Sequence, residues 1–157
     1  MMYAARKNIY IQTPFFVPDE SIMDALRIAA SSGVDVRLML SGLPDPMPAY
    51  AATLGYARQI LGSGVKVYKY NGIMHAKTIV FDGAASSIGT ANFNIRSFAL
   101  NFEINAFIYC RDFAAKCEDI FLQDMEDCTE LSESWFMERG IAARGFYNAC
   151  RLIAPLL

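Results

Sequence analysis

Asn71-Gly-Ile-Met-His-Ala-Lys-Thr-Ile-Val-Phe-Asp82, continued by Gly83-Ala-Ala-Ser-Ser-Ile-Gly-Thr-Ala-Asn-Phe-Asn94 and closed by Asn101-Phe-Glu103, is the stretch that decides the fold. The run from His75 to Phe81 alternates and is rich in apolar residues, which predicts a strand. Side chains two apart on a strand share a face, so His75 and Lys77 are expected to point the same way. Asp82-Gly83 predicts a turn, and Ala85 to Thr90 the returning strand. Asn92 and Asn94 follow in a loop beyond it. The hairpin thus gathers an imidazole, an ammonium, a hydroxyl and a carboxamide at one sheet edge. Glu103 lies in the next strand-like run, Phe102 to Tyr109.

Those groups suit a phosphodiester. Its non-bridging oxygens are anionic; Lys77 supplies a point charge, and Thr90 and Asn92 supply neutral donors. A neutral imidazole can attack phosphorus and form a phosphohistidine. A carboxylate on the other ring nitrogen would hold the tautomer and the aim, and Glu103 is the candidate for that place. Each residue also has a plainer reading. His75, the single histidine, is by itself more often a core or surface residue than a catalyst. Lys77 alone is a solvated strand lysine, Asn92 and Asn94 are turn residues, and Thr90 caps a strand end. Glu103 alone is a surface partner for an arginine such as Arg96.

His75-x-Lys77-x-x-x-x-Asp82 followed by Gly89-Thr90-x-Asn92 resembles the motif of the phospholipase D superfamily. The text around it, from Tyr10-Ile-Gln-Thr-Pro-Phe-Phe-Val-Pro-Asp-Glu20 to Leu100-Asn-Phe-Glu-Ile-Asn-Ala-Phe-Ile-Tyr109, is similar to the C-terminal half of bacterial cardiolipin synthases. The likeness runs from about Asn8 to the C-terminus. It implies a phospholipase D-like half with His75 as nucleophile or general acid, Lys77, Thr90 and Asn92 on the phosphate, and Glu103 orienting the His. Asp82 is structural by the same resemblance. Two positions depart from the pattern: Thr90 keeps the hydroxyl where many members have Ser, and Asn94 stands where an Asp is expected, removing a charge near the site.

Length and composition narrow the rest. The 157 residues suffice for one core, and the net charge of −2 gives no electrostatic case for a nucleic-acid partner. Cys110, Cys117, Cys128 and Cys150 show neither metal nor redox spacing and read as reduced thiols. One His with scattered Cys offers no ligand set, so neither metal nor cofactor is expected. No uncharged apolar run is long enough to span a bilayer. The resemblance implies N-terminal anchors and a first motif-bearing half, neither of which is in this sequence. A soluble piece of an inner-membrane enzyme is therefore expected.

In chain order, Asn8 to Gln12 predicts a buried strand and Pro14 to Pro18 an extended loop. A helix capped by Asp19 and ended by Gly33 follows, then a strand from Val34 to Leu40. Gly42 to Pro48 reads as a loop, Ala49 to Leu61 as a helix, and Val65 to Tyr70 as a strand. This alternation predicts the α/β class, a mostly parallel mixed sheet flanked by helices. A third helix is expected from Asp112 as its cap, with Phe113, Cys117, Ile120, Phe121, Met125 and Cys128 facing the core. Residues 1–130 are expected to form the catalytic half-domain and 131–157 an amphipathic tail. On a helical wheel of the tail, Arg144, Asn148 and Arg151 share a face opposite Ile141, Phe146, Ala149, Leu152 and Ile153. That is an interfacial membrane helix, or a helix packed on its own domain or on a missing half.

The expected function is phosphatidyl transfer between two phosphatidylglycerol molecules. A second motif-bearing half, from the same full-length chain or a dimer mate, would complete the site. Hydrolysis of a lipid or nucleic-acid phosphodiester is the alternative, as is a lone half inactive without its partner.

Overall fold

Asn8–Thr13 (β1) is buried at every residue, the pattern of a central strand covered on both faces. In the computed structural model, which describes residues 1–43 and 46–154, it pairs parallel with Asp35–Leu40 (β3) and antiparallel with Thr78–Phe81 (β5). Lys66–Tyr70 (β4) lies parallel to β3. Ala85–Gly89 (β6) returns antiparallel to β5, with Asn105–Ile108 (β8) at its outer side and Cys128–Leu131 (β9) beyond β4. The sheet order is β8-β6-β5-β1-β3-β4-β9. A small second sheet pairs Phe16–Val17 (β2) with Phe93–Asn94 (β7).

The sheet is mixed and flanked by helices, as expected, but its parallel part is confined to β1, β3 and β4. Parallel neighbours need a crossover long enough for a helix. Glu20–Ser31 (α1) and Met47–Leu61 (α2) supply the two crossovers. The remaining pairs in the large sheet are antiparallel. β9 was not expected. The third helix ends at Asp124, a 3-10 turn covers Met125–Asp127, and Cys128 opens a strand along β4.

α1 starts where the cap predicts: Asp19 accepts the N–H of Ile22 at 2.9 Å. Gly33, at φ +88°, follows its end. α2 begins at Met47, earlier than expected, with Pro48 in the first turn where its missing N–H costs nothing. Pro44 and Asp45 of the expected loop lie outside the described residues. Both helices cover one sheet face, built on Ile9, Ile11, Val36, Leu38 and Val67.

Arg111–Asp124 (α4) covers the other face, where Phe121 stacks on Tyr10 at 4.7 Å between centroids. Its cap is Cys110 rather than Asp112, which sits in the first turn. The inward stripe is Ala114, Cys117, Phe121 and Met125, while Phe113 and Ile120 are exposed. Glu133–Glu138 (α5) and Gly140–Ile153 (α6) follow, and α6 packs on α2 through Tyr147, Cys150 and Ala154. The four cysteines are unpaired.

Two local features set the register at the motif. Asp82 sits at φ +55° and Gly83 at φ +58°, a left-handed pair that closes the β5–β6 hairpin. The Asp82 carboxylate accepts the backbone N–H groups of Arg6 (2.9 Å), Lys7 (2.7 Å) and Asn8 (3.1 Å), and its own N–H donates to the Asn8 carbonyl. Burial works to raise the carboxyl's pKa, but the donated N–H groups of Lys7, Arg6 and Asn8 prevail and hold it below the usual aspartate range. At the other end of β6, Gly89 lies so close to the Ile104 carbonyl and to Asn105 that a Cβ would collide with backbone.

Asp82→Asn should cost about 1.5–3 kcal/mol in chemical denaturation, the scale of hydrogen bonds to a charged acceptor. The sign with pH follows from the depressed carboxyl. Its stabilisation is complete above the unfolded aspartate pKa near ~3.9 and is lost as pH falls through the lower folded value. The wild type should therefore lose stability below about pH 4 more steeply than Asp82→Asn, and parallel acid limbs would refute this. Gly89→Ala should destabilise by about 1–3 kcal/mol through overpacking, and an unchanged melting temperature would show that β8 gives way freely.

Candidate active site

The loop before β5 carries His75 and Lys77. The expected strand from His75 begins only at Thr78. Residues just before it bond to the end of β3 instead: Met74 N–H donates to Ser41 Oγ at 3.3 Å, and Gly42 N–H to the Gly72 carbonyl at 3.0 Å. The strand-alternation argument therefore does not apply to His75 and Lys77. What links them is the Lys77 ammonium, which reaches back to the His75 carbonyl at 2.8 Å. His75 is exposed and lines a cleft of about 610 Å³ with Pro14, Phe15, Ser41 and Tyr50. Lys77 is half-buried, and burial lowers its pKa against the opposing pull of the Glu103 carboxylate.

Glu103 lies in the coil before β8, not in a strand. Its carboxylate accepts Thr90 Oγ1 at 2.5 Å, Ser97 Oγ at 2.8 Å and Asn101 Nδ2 at 3.3 Å. Those bonds, the Thr90 hydroxyl first, lower its pKa, with Lys77 adding to the effect. The sequence put Glu103 behind the His75 imidazole, whereas its oxygens are taken up by Thr90, Ser97 and Asn101. The reason is local: Thr90 and Ile104 exchange bonds across the two strand ends, Thr90 N–H to the Ile104 carbonyl and Ile104 N–H to Thr90 Oγ1, both at 3.0 Å. That pairing brings Glu103 onto the Thr90 hydroxyl.

Asn92 follows on the same loop. Its N–H donates to Ser97 Oγ at 3.2 Å, and its side-chain Oδ1 is buried without a hydrogen-bond partner among the described residues. It lines a second cleft of about 400 Å³ with Asn94, Arg96 and Asn101, and this cleft shares Phe15 with the one at His75. Lys77 lines a narrow third space with Gln12 and Asn105. The single pocket expected for His75, Lys77 and Asn92 is therefore divided: the clefts at His75 and Asn92 adjoin through Phe15, and the space at Lys77 is separate from both. Asp82 is at the far end of β5 from His75, on the N–H groups that lead into β1.

Asn94 caps a short helix, Ile95–Ala99 (α3), by accepting the Ser97 N–H at 2.7 Å. This explains why an uncharged side chain serves there: a carboxamide oxygen caps as well as a carboxylate. The cap also orients Ser97, whose hydroxyl joins Asn92 to Glu103. Sequence reasoning missed Ser97, Asn101 and Asn105, although Asn94-x-x-Ser97 is the spacing of a helix cap. Asn105 accepts the Ala91 N–H at 3.2 Å and donates to Ser87 at 3.1 Å, pinning the loop to the sheet. Among the described residues, no group of three or more His, Cys, Asp or Glu side chains is placed to hold a metal ion.

Comparison with known proteins agrees with this architecture. Residues 1–125 match the family described as "Cardiolipin synthase, PLD-like domain". A cardiolipin synthase of Listeria monocytogenes is 45% identical over 158 residues, covering 100% of this chain and 33% of the relative. The chain thus spans about a third of the length of the curated relatives it matches. Among solved structures, the phospholipase D family member Nuc of Salmonella typhimurium superposes with a TM-score of 0.73 at 23% identity, over 84% of this chain and 86% of that one. A phosphatidylserine synthase of Haemophilus influenzae superposes with a TM-score of 0.71 at 16% identity, over 98% of this chain and 42% of that one. At these identities the two structures speak for the fold. The sequence matches go further, and by them the chain belongs to the cardiolipin synthase family of phospholipase D-like domains.

Proposed function

We propose that this chain is one motif-bearing part of a cardiolipin synthase and contributes one half of a phosphatidyltransferase site. The observation that carries the reading is the Lys77 ammonium, tied to the carbonyl of the exposed His75. An ammonium has three N–H donors, and the His75 carbonyl takes one of them. The others remain for a non-bridging phosphate oxygen beside an accessible imidazole. Asn92 lines the neighbouring cleft, and its amide N–H groups are the donors that would make the second polar contact with the phosphate.

In the proposed reaction an imidazole nitrogen attacks the phosphorus of one phosphatidylglycerol. The P–N bond forms, the P–O bond to glycerol breaks, and an acid protonates the departing oxygen. The hydroxyl of a second phosphatidylglycerol then attacks phosphorus, the P–N bond breaks, and a base takes the hydroxyl proton. Two titratable groups are needed, and the sequence carries one histidine. The other comes from a second motif-bearing half, in the same full-length chain or a dimer mate. His75 takes one of these two roles. Lys77 and Asn92 bind the phosphate, and Thr90, whose hydroxyl proton goes to Glu103, supports the loop that carries Asn92. Glu103 acts by fixing Thr90 and Ser97 and by setting a negative charge beside Lys77. The substrates place the enzyme at the bacterial inner membrane. Among the described residues no helix is long and apolar enough to cross a membrane, so association there is peripheral or through segments outside this chain.

This chain alone should form no cardiolipin from radiolabelled phosphatidylglycerol, and addition of the second half should restore synthesis. Robust turnover by a demonstrated monomer would sink the half-site reading. In the assembled enzyme His75→Ala should fall to background. Glu103→Gln should lose on the order of 10- to 100-fold in kcat, the scale of a residue that positions others. Rates at saturating lipid, with folding checked by thermal melting, decide this. Wild-type rates in His75→Ala would overturn the assignment.

A further inference from the structure

We propose that the outward face of α6 docks on an anionic phospholipid bilayer and seats the candidate active site at the lipid surface; this rests on the reading that the substrate is a lipid. The helix has two apolar faces. One, with Tyr147, Cys150 and Ala154, is spent on α2, where Gly55 admits the Tyr147 carbonyl at close range. The other carries Ile141 at 80% exposure and Leu152 at 79%, with Phe146 and Ile153 about half exposed. Ile141, Gly145, Ala149 and Leu152 follow one another at helical spacing, so the exposed residues form a continuous stripe rather than scattered singles. Packing on α2 gives no reason for them.

Charge identifies the occupant. From Arg139 to Ala154 the chain holds three arginines and no acidic residue, although its net charge is −2. Arg144 and Arg151 lie along one border of the stripe. Each guanidinium has donors beyond its present contacts, Met137 sulfur for Arg144 and Gln59 for Arg151. At the helix's start the Arg139 guanidinium lies 3.1 Å over the Trp135 ring, an amphipathic pair suited to the headgroup level. An apolar stripe bordered by arginines is what an anionic lipid interface binds. A second protein surface would accept the stripe but leaves the missing acidic residues unexplained.

Position gives the docking its use. Ala154, at the end of α6, lines the same cleft as Asn92, Asn94 and Asn101. Ala154 is on the α2-facing side, and the stripe's last residues, Leu152 and Ile153, directly precede it, so a bilayer on the outward face lies across the end of α6 from the phosphate-binding loop.

The test is flotation of this chain with vesicles of phosphatidylcholine, alone or mixed with phosphatidylglycerol. Wild type should float with the mixed vesicles and much less with phosphatidylcholine alone, and salt should weaken binding. Ile141→Gln with Leu152→Gln should lower partition about tenfold or more, since two large side chains lose their lipid contact. His75→Ala should bind as wild type does. The proposal is overturned if the double variant, melting normally, floats as wild type, or if wild type ignores the mixed vesicles. It is equally overturned if sedimentation shows that the stripe joins two copies of the chain and vesicles bind neither form. In the assembled enzyme the double variant should keep turnover on monomeric short-chain phosphatidylglycerol and lose it on vesicles. Absence of transfer on both substrates in wild type would count against the reaction, while the flotation result would still decide the docking.

Discussion

One carboxylate holds the frame of this domain. Asp82 stands at the tip of the β5–β6 hairpin and gathers the backbone N–H groups of Arg6, Lys7 and Asn8 as the chain enters β1. Three donors on one anion make a strong and directional junction. It fixes where β1 begins relative to β5, so that Asn8 meets the turn and Gln12 meets Thr78. The Gln12 carboxamide then accepts the Thr78 hydroxyl at 2.8 Å and donates to Asp124 at 2.6 Å. The clamp at one end of β5 and the amide bridge at the other set the exit point from which Lys77 and His75 project.

A second carboxylate organises the site itself. Glu103 draws Thr90, Ser97 and Asn101 together, and through Ser97 it fixes the backbone of Asn92. The arrangement leaves Asn92 lining a cleft with its buried carboxamide oxygen unpaired among the described residues, and Lys77 half-buried within the field of the carboxylate. The groups proposed to meet an anion are in this way held by neighbours that do not themselves need to touch it. Gly89 permits the arrangement, because only a residue without a Cβ lets β8 come close enough for Thr90 to reach Ile104.

Much of this was legible in the residues. The alternation of strands and helices, the Asp19 cap, the Gly33 stop and the Asp82-Gly83 turn depend on local rules of spacing and dihedral preference, and they fall where those rules put them. Less legible were elements whose form is set by distant partners. β9 exists because Cys128 to Leu131 finds the open edge of β4, and β7 because Phe93 finds Phe16. The inward stripe of α4 is fixed by Tyr10 on the facing sheet, so Phe121 is buried where Phe113 and Ile120 are not.

The sequence by itself determined the α/β class, the candidate residues His75, Lys77, Thr90, Asn92 and Glu103, and the kind of phosphate chemistry their side chains suit. These are properties of residue type and short-range order. Tertiary structure alone decided how those residues are joined. It bent the His75 loop away from the β5 ladder and onto Ser41 and Gly72. It gave the oxygens of Glu103 to Thr90, Ser97 and Asn101, and it left one apolar face of α6 outside after the other had met α2. The physical reason is the same in each case. A hydrogen bond or an apolar contact between residues far apart in the chain is chosen by which surfaces meet when the sheet closes, and no periodicity along the sequence encodes that choice.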